Sequence, residues 1–131
     1  MSVRLLIVDD QAVIRSNLRL QFSRLGCEVA EAANALEGLE LFHTFQPQVV
    51  TLDIVMPDVD GFTALDLLRK IHQASDNTAV IVISNKLDRR DEFLREGAIE
   101  FVAKPFESFD NLIRKLEPLI QVLDPELSEK G

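Results

Sequence analysis

The stretch "LLIVDDQ", Leu5 to Gln11, runs four apolar residues straight into two adjacent carboxylates, Asp9 and Asp10. The apolar run is short and continuous, without polar alternation, which is the pattern of a strand covered on both faces. Two ionised carboxylates side by side repel each other, and neither gains anything from a core. The end of this strand must therefore be a place where something compensates them.

Working outward, strand-like and helix-like segments alternate. Apolar residues recur at helical spacing from Gln11 to Leu25 (Ile14, Leu18, Phe22, Leu25), and Gly26 is the stop. "CEVAEA" reads as a second strand with Cys27 and Val29 on one side. Asn34 is placed as a helix N-cap with Glu37 three residues on, and that helix carries Leu36, Leu39, Leu41 and Phe42 before Pro47. "QVVTLDIVMP" is a third strand ending near Asp53, and "MPDVDG" has loop composition. A helix is expected from Phe62 to about Ala74, with Leu65, Leu68 and either Ile71 or His72 inward. "AVIVIS" is the most β-branched segment and the clearest central strand. A short polar helix from Asp88 to Glu96, stopped by Gly97, leads to a fifth strand, "IEFVAK". A last helix from near Ser108 to Val122 contains Pro118, where a kink or an early stop is expected.

Five strands alternating with five helices give an α/β fold, one parallel sheet with helices on both faces. Such sheets bind ligands outside the carboxyl ends of their strands, where the strand order reverses. Asp9, Asp10, Asp53, Ser84 and Lys104 all fall at strand ends. The expected organisation is one domain over residues 1–123 and a flexible polar tail over 124–131.

The composition narrows the function. The chain has 131 residues, 47% hydrophobic and 27% charged, which suits a folded domain with a real core. A net charge of −8, with Arg89 and Arg90 flanked by Asp88, Asp91 and Glu92, disfavours direct contact with nucleic acid or an anionic membrane. No apolar stretch approaches the ~20 residues of a spanning helix, and the N-terminal run is too short and too soon acidic for a secretory signal. Cys27 is the only cysteine, so a reducing, cytoplasmic setting is expected. No GxxxxGK[ST] or GxGxxG occurs, which disfavours nucleotide binding.

Carboxylates from the first and third strands carry the chemistry. One ionised pair at ~4 Å costs about 1 kcal/mol in water and about 4 at an effective dielectric of 20. Three such pairs cost on the order of 10 kcal/mol, so either a proton or a cation must answer them. All-oxygen ligands suit a hard divalent ion such as Mg²⁺. A carboxylate can also attack phosphorus and form an acyl phosphate.

"VDD" after strand 1, "LDIVMPDVDG" at strand 3, "ISN" at strand 4 and "KPF" after strand 5 together resemble the receiver domain of two-component response regulators, over roughly Arg4 to Val122. The resemblance implies the flavodoxin-like strand order 2-1-3-4-5. It makes Asp53 the phosphoacceptor and gives Mg²⁺ to Asp10 directly, to Asp9 through water, to Asp53, and to the backbone carbonyl of Val55. It assigns Lys104 and Ser84 to the other phosphoryl oxygens, and makes Ser84 and Phe101 the switch pair, Phe101 repacking inward. Lys104–Pro105 is expected to be cis. The phosphodonor would be a sensor histidine kinase or a histidine phosphotransfer protein. The output would be contact with a downstream protein through the face of the fourth helix, fifth strand and fifth helix, and the same face admits a phosphorylation-dependent homodimer. The chain would be no enzyme beyond catalysing its own phosphorylation and dephosphorylation. With no output domain after Val122, it is expected to act through a partner unless it is a fragment of a longer regulator.

Asn85 stands where the family carries Ala or Gly, and the Ser84–Gly97 segment is shorter than usual, so the fourth helix should be short or distorted. Val55 and Lys86 occupy positions that tune dephosphorylation in the family. Two alternatives remain open from sequence. A haloacid-dehalogenase-like phosphatase shares the strand-end Asp but needs a second Asp where Val55 stands. A pseudo-receiver would keep the fold and never be phosphorylated. Read singly, the site residues have bland readings: Asp9 and Asp10 as a cap, Lys104 on the surface, Phe101 in the core. His43 and His72 have no metal partner at helical spacing.

Overall fold

The computed structural model describes residues 2–104 and 109–123. The Lys104–Pro105 peptide and the expected tail over 124–131 lie outside the described residues. In chain order the elements are β1 Arg4–Val8, α1 Ala12–Arg24, β2 Glu28–Ala32, α2 Ala35–Phe45, β3 Val49–Leu52, α3 Ala64–Ala74 and β4 Ala79–Ser84. A 3₁₀ turn over Leu87–Arg89 then precedes α4 Arg90–Arg95, β5 Glu100–Ala103 and α5 Phe109–Leu123. All strand pairings are parallel, in the order β2-β1-β3-β4-β5.

Alternation along the buried strands divides the core in two. Leu5 and Ile7 of β1, Val49 of β3, and Ile81 and Ile83 of β4 pack with Leu18 and Phe22 of α1 and with Leu112, Leu116 and Ile120 of α5. Leu6 and Val8, Val50 and Leu52, and Val80 and Val82 point to the other face, against α2, α3 and Phe93 of α4. Right-handed crossovers between parallel strands force this segregation, because α1 precedes a strand on one side of β1 and α2 leads back to the other.

Local chemistry sets the helix starts. Asn34 caps α2, its side chain accepting from the Glu37 N–H at 2.9 Å, while the Glu37 carboxylate accepts from Ala33 N–H at 3.3 Å. The cap predicted from sequence is therefore present. α3 begins two residues later than expected, at Ala64, because Thr63 and Asp66 form a reciprocal capping box (2.9 and 3.1 Å). Phe62 instead bridges to Val59 across the turn at Asp60 and Gly61. The inward face of α3 is Ala64, Leu67, Leu68 and Ile71; His72 is exposed and Leu65 only half-buried.

Two further expectations, a short or distorted fourth helix and a last helix reaching about Val122, hold with differences in detail. The helix expected over 88–96 is split into the 3₁₀ turn and a six-residue α4, as the short Ser84–Gly97 segment required. α5 does not stop at Pro118 but continues to Leu123.

α4 ends at Gly97, whose φ of +114° is a conformation that L side chains rarely adopt. A Cβ there would also lie 2.8 Å from His72 Nδ1. Gly97→Ala is expected to lower unfolding free energy by about 1–3 kcal/mol in urea titrations. Adding His72→Ala should recover only a minor part, since the backbone cost remains.

Candidate functional site

The strand register assembles the site. Val8 pairs with Leu52, so the next residues, Asp9 and Asp53, emerge side by side from β1 and β3. The Asp53 N–H still donates to Val8 O at 2.9 Å, and the Asp9 N–H to Ala32 O at 3.0 Å. Ser84 pairs with Ala103, and the Lys104 N–H donates to Ser84 O at 2.8 Å, which brings Lys104 to the same edge. This is the crevice where β2 lies on one side of β1 and β3 on the other, the position at which open α/β sheets place ligands.

Three of the predicted carboxylates meet there. Asp9, Asp10 and Asp53 each offer an oxygen within 4.8 Å of the others. Asp9 and Asp53 are buried, at 3% and 5% exposure, whereas Asp10 faces solvent. Lys104 Nζ lies 2.8 Å from Asp9 Oδ2 and 3.6 Å from Asp53 Oδ2. The other oxygen of each buried carboxylate accepts from a backbone N–H two residues on, Gln11 to Asp9 at 2.8 Å and Val55 to Asp53 at 3.0 Å. Among the described residues, one ammonium against three carboxylates leaves two charges unanswered when all are ionised, which matches a divalent cation. The cluster is thus fit to hold a hard metal ion by its donor chemistry.

Burial pushes the Asp53 carboxyl up from 3.8 to about 6. The Val55 N–H and the Lys104 ammonium favour the charged form but do not overcome desolvation, and Asp9 and Asp10 add to the upward push.

A cavity of about 270 Å³ opens over the cluster, lined by Asp10, Gln11, Asp53, Val55, Asn85 and Lys104. Asn85, the departure noted in the sequence, therefore borders this cavity. Ser84 does not line it: the residue is fully buried, and its Oγ accepts from the Lys86 N–H at 3.1 Å. Phe101 already sits inward, at 7% exposure, in the core beneath α4. Two participants were missed from sequence. Gln11 supplies a backbone donor to Asp9, for which the only signal was its place next to the pair. Arg15 donates to the Asp9 carbonyl at 2.6 Å, a contact that spacing on α1 alone does not reveal.

The sequence matches the family described as "Response regulator receiver domain" over residues 5–117. The chain belongs to this family. It is 30% identical over 128 residues to the response regulator MprA of Mycobacterium tuberculosis and of Mycobacterium bovis, alignments that cover 96% of this chain and 54% of the relative. The chain thus spans about half the length of these curated relatives. Its fold is similar to a CheY-like receiver domain protein from Methanospirillum hungatei (TM-score 0.82, 26% identity, all of both chains). It is similar also to the receiver domain of the Francisella response regulator 1452 (TM-score 0.80, 26% identity, 94% of this chain and all of that one). A third likeness is to the receiver domain of NtrX from Brucella abortus (TM-score 0.78, 29% identity, 89% and 98%). The strand order taken from the resemblance is the one observed.

The raised Asp53 value has a stability consequence. A carboxyl whose folded pKa lies above its unfolded value stabilises the fold fully below the unfolded value. That contribution is lost as pH rises through about 6. In metal-free buffer, Asp53→Asn should be more stable than the parent above pH 7, by as much as about 3 kcal/mol. The difference should shrink toward zero as pH falls to about 4. Urea unfolding in EDTA across that range measures it; a difference independent of pH would show that Asp53 is not desolvated.

Proposed function

We propose that this receiver domain takes a phosphoryl group onto Asp53 with Mg²⁺ and signals by protein contact. The observation that carries the reading is the set of three carboxylates with oxygens within 4.8 Å of one another, answered by a single Lys104 ammonium. Membership of the family supports a place in two-component phosphorelay signalling, with a sensor histidine kinase or a histidine phosphotransfer protein as donor.

Asp10, Asp53, the Val55 carbonyl and, through water, Asp9 would hold Mg²⁺, which when bound neutralises charge on the transferring group and the carboxylates. An Asp53 carboxylate oxygen attacks the phosphorus of the donor phosphohistidine. The new O–P bond forms as the P–N bond breaks, and the electron pair returns to the imidazole, which takes up a proton. Lys104, already 3.6 Å from Asp53, would leave Asp9 in part to meet a phosphoryl oxygen. Ser84 would turn its hydroxyl from the Lys86 N–H toward another, with Phe101 held inward behind it. The changed surface of α4, β5 and α5 would then select a downstream protein or a second copy. The domain turns over its own phosphate and no external substrate. Among the described residues no helix is long and apolar enough to cross a membrane, and a cytoplasmic setting suits a chain with a single, buried cysteine.

Incubation with Mg²⁺ and acetyl phosphate, followed by intact mass, is expected to add one phosphate to the parent and none to Asp53→Asn. Equal labelling of both would refute the site. No labelling of either would favour a pseudo-receiver, and multiple-turnover phosphate release from a simple ester would favour a phosphatase. Because attack and metal binding both need the carboxylate ionised, labelling at low Mg²⁺ should fall as pH drops below about 6. Lys104→Ala should retain Mg²⁺ binding and lose the phosphate-induced change in backbone amide spectra.

A further inference from the structure

The exposed Asp10 is the one carboxylate of the three that no hydrogen bond or ion pair holds among the described residues. The direction of its Cα–Cβ bond, from which the carboxylate swings, is set by the backbone that precedes it. That backbone is the Asp9–Asp10 peptide, and its carbonyl receives the Arg15 Nη1 at 2.6 Å. Arg15 is itself held: its Nε donates to Glu31 Oε1 on β2 at 3.2 Å, and its side chain is 18% exposed. Glu31 is braced from the other side by Arg19 Nε at 3.1 Å, and Arg19 Nη1 donates to Val29 O at 3.0 Å. Two residues of one face of α1 thus grip β2 through Glu31, and one of them reaches over to the end of β1.

We infer that Arg15 is a positioning residue of the metal site: by fixing the Asp9–Asp10 peptide plane it aims the Asp10 carboxylate at Asp53. A planar guanidinium is suited to this, since one edge can bind a carboxylate while another N–H serves a carbonyl. The Glu31 carboxylate offsets its charge, so the strut adds little repulsion toward an incoming cation. The inference rests on the metal-binding reading above, and it also makes a claim about the metal-free protein.

The test uses Arg15→Ala, Arg15→Lys and Glu31→Gln in the full chain. Without Trp or Tyr there is no convenient intrinsic fluorophore, so Mg²⁺ is titrated by calorimetry and by amide NMR. The metal-free readout is hydrogen exchange of the Gln11 amide, which bonds Asp9 Oδ1 at 2.8 Å and so reports the turn directly. Arg15→Ala is expected to speed Gln11 exchange in EDTA, with amides in the centre of β3 unchanged, and to weaken Mg²⁺ binding about tenfold. Arg15→Lys, which keeps one donor, should recover part of both effects, and Glu31→Gln should show a smaller loss of both. Unchanged Gln11 exchange, or Mg²⁺ affinity that is unchanged or tighter in Arg15→Ala, would overturn the inference; tightening is what mere removal of a positive charge predicts. If the parent itself binds no Mg²⁺, the metal reading fails, and Gln11 exchange alone still decides whether Arg15 holds the turn.

Discussion

Two carboxylates removed from water on neighbouring strands cannot both remain charged without an answering cation. Lys104 is that cation, and the arrangement of the upper edge of the sheet follows from the need to bring it there. Truncating one partner of a buried pair typically costs about 3–5 kcal/mol, because the charge left behind has lost its solvent and gained nothing. Here the ammonium is shared unequally, close to Asp9 and farther from Asp53. Asp53 is thus the less satisfied of the two buried acids. Desolvation pushes its carboxyl up to about 6, and nearby charge moves it further in either direction.

The fold makes this economical. Parallel strands send every carboxyl end to one edge, and the order β2-β1-β3 opens a crevice at the ends of the two strands that carry the acids. The edge strand β2 contributes no acid to the cluster, yet Ala32 and Glu31 hold the end of β1 through backbone and side-chain contacts. On the far side, β4 and β5 deliver Ser84 and Lys104 in register. The site is therefore a property of the whole sheet rather than of any loop.

Much of this was legible in the residues. The apolar strands were readable because burial on both faces leaves a continuous Val, Ile and Leu signal, and the acids stood out by interrupting it. Asn34 declared its cap through the Glu at N3. The Thr63–Asp66 box obeys the same rule, but the apolar Phe62 beside it looked like a first helical residue. On α3 the expected Leu68 and Ile71 are buried and Leu65 packs half-buried against the same core; Leu67, which lies beside Leu68 on the stripe, was not singled out, and between Ile71 and His72 only docking decides. Pro118 fell at a place where a helix packed on the sheet tolerates the missing donor. Arg15 left no trace in the one-dimensional pattern, since its partners sit on two other elements.

The Lys104–Asp9 bridge joins residues 95 positions apart. The acids lie in the first half of the chain, and the ammonium that meets them lies far beyond it. Closing so long a loop costs entropy that only the pairing of the fifth strand and its neighbours repays. The acidic cluster is thus matched with its ammonium only once the fifth strand is in place.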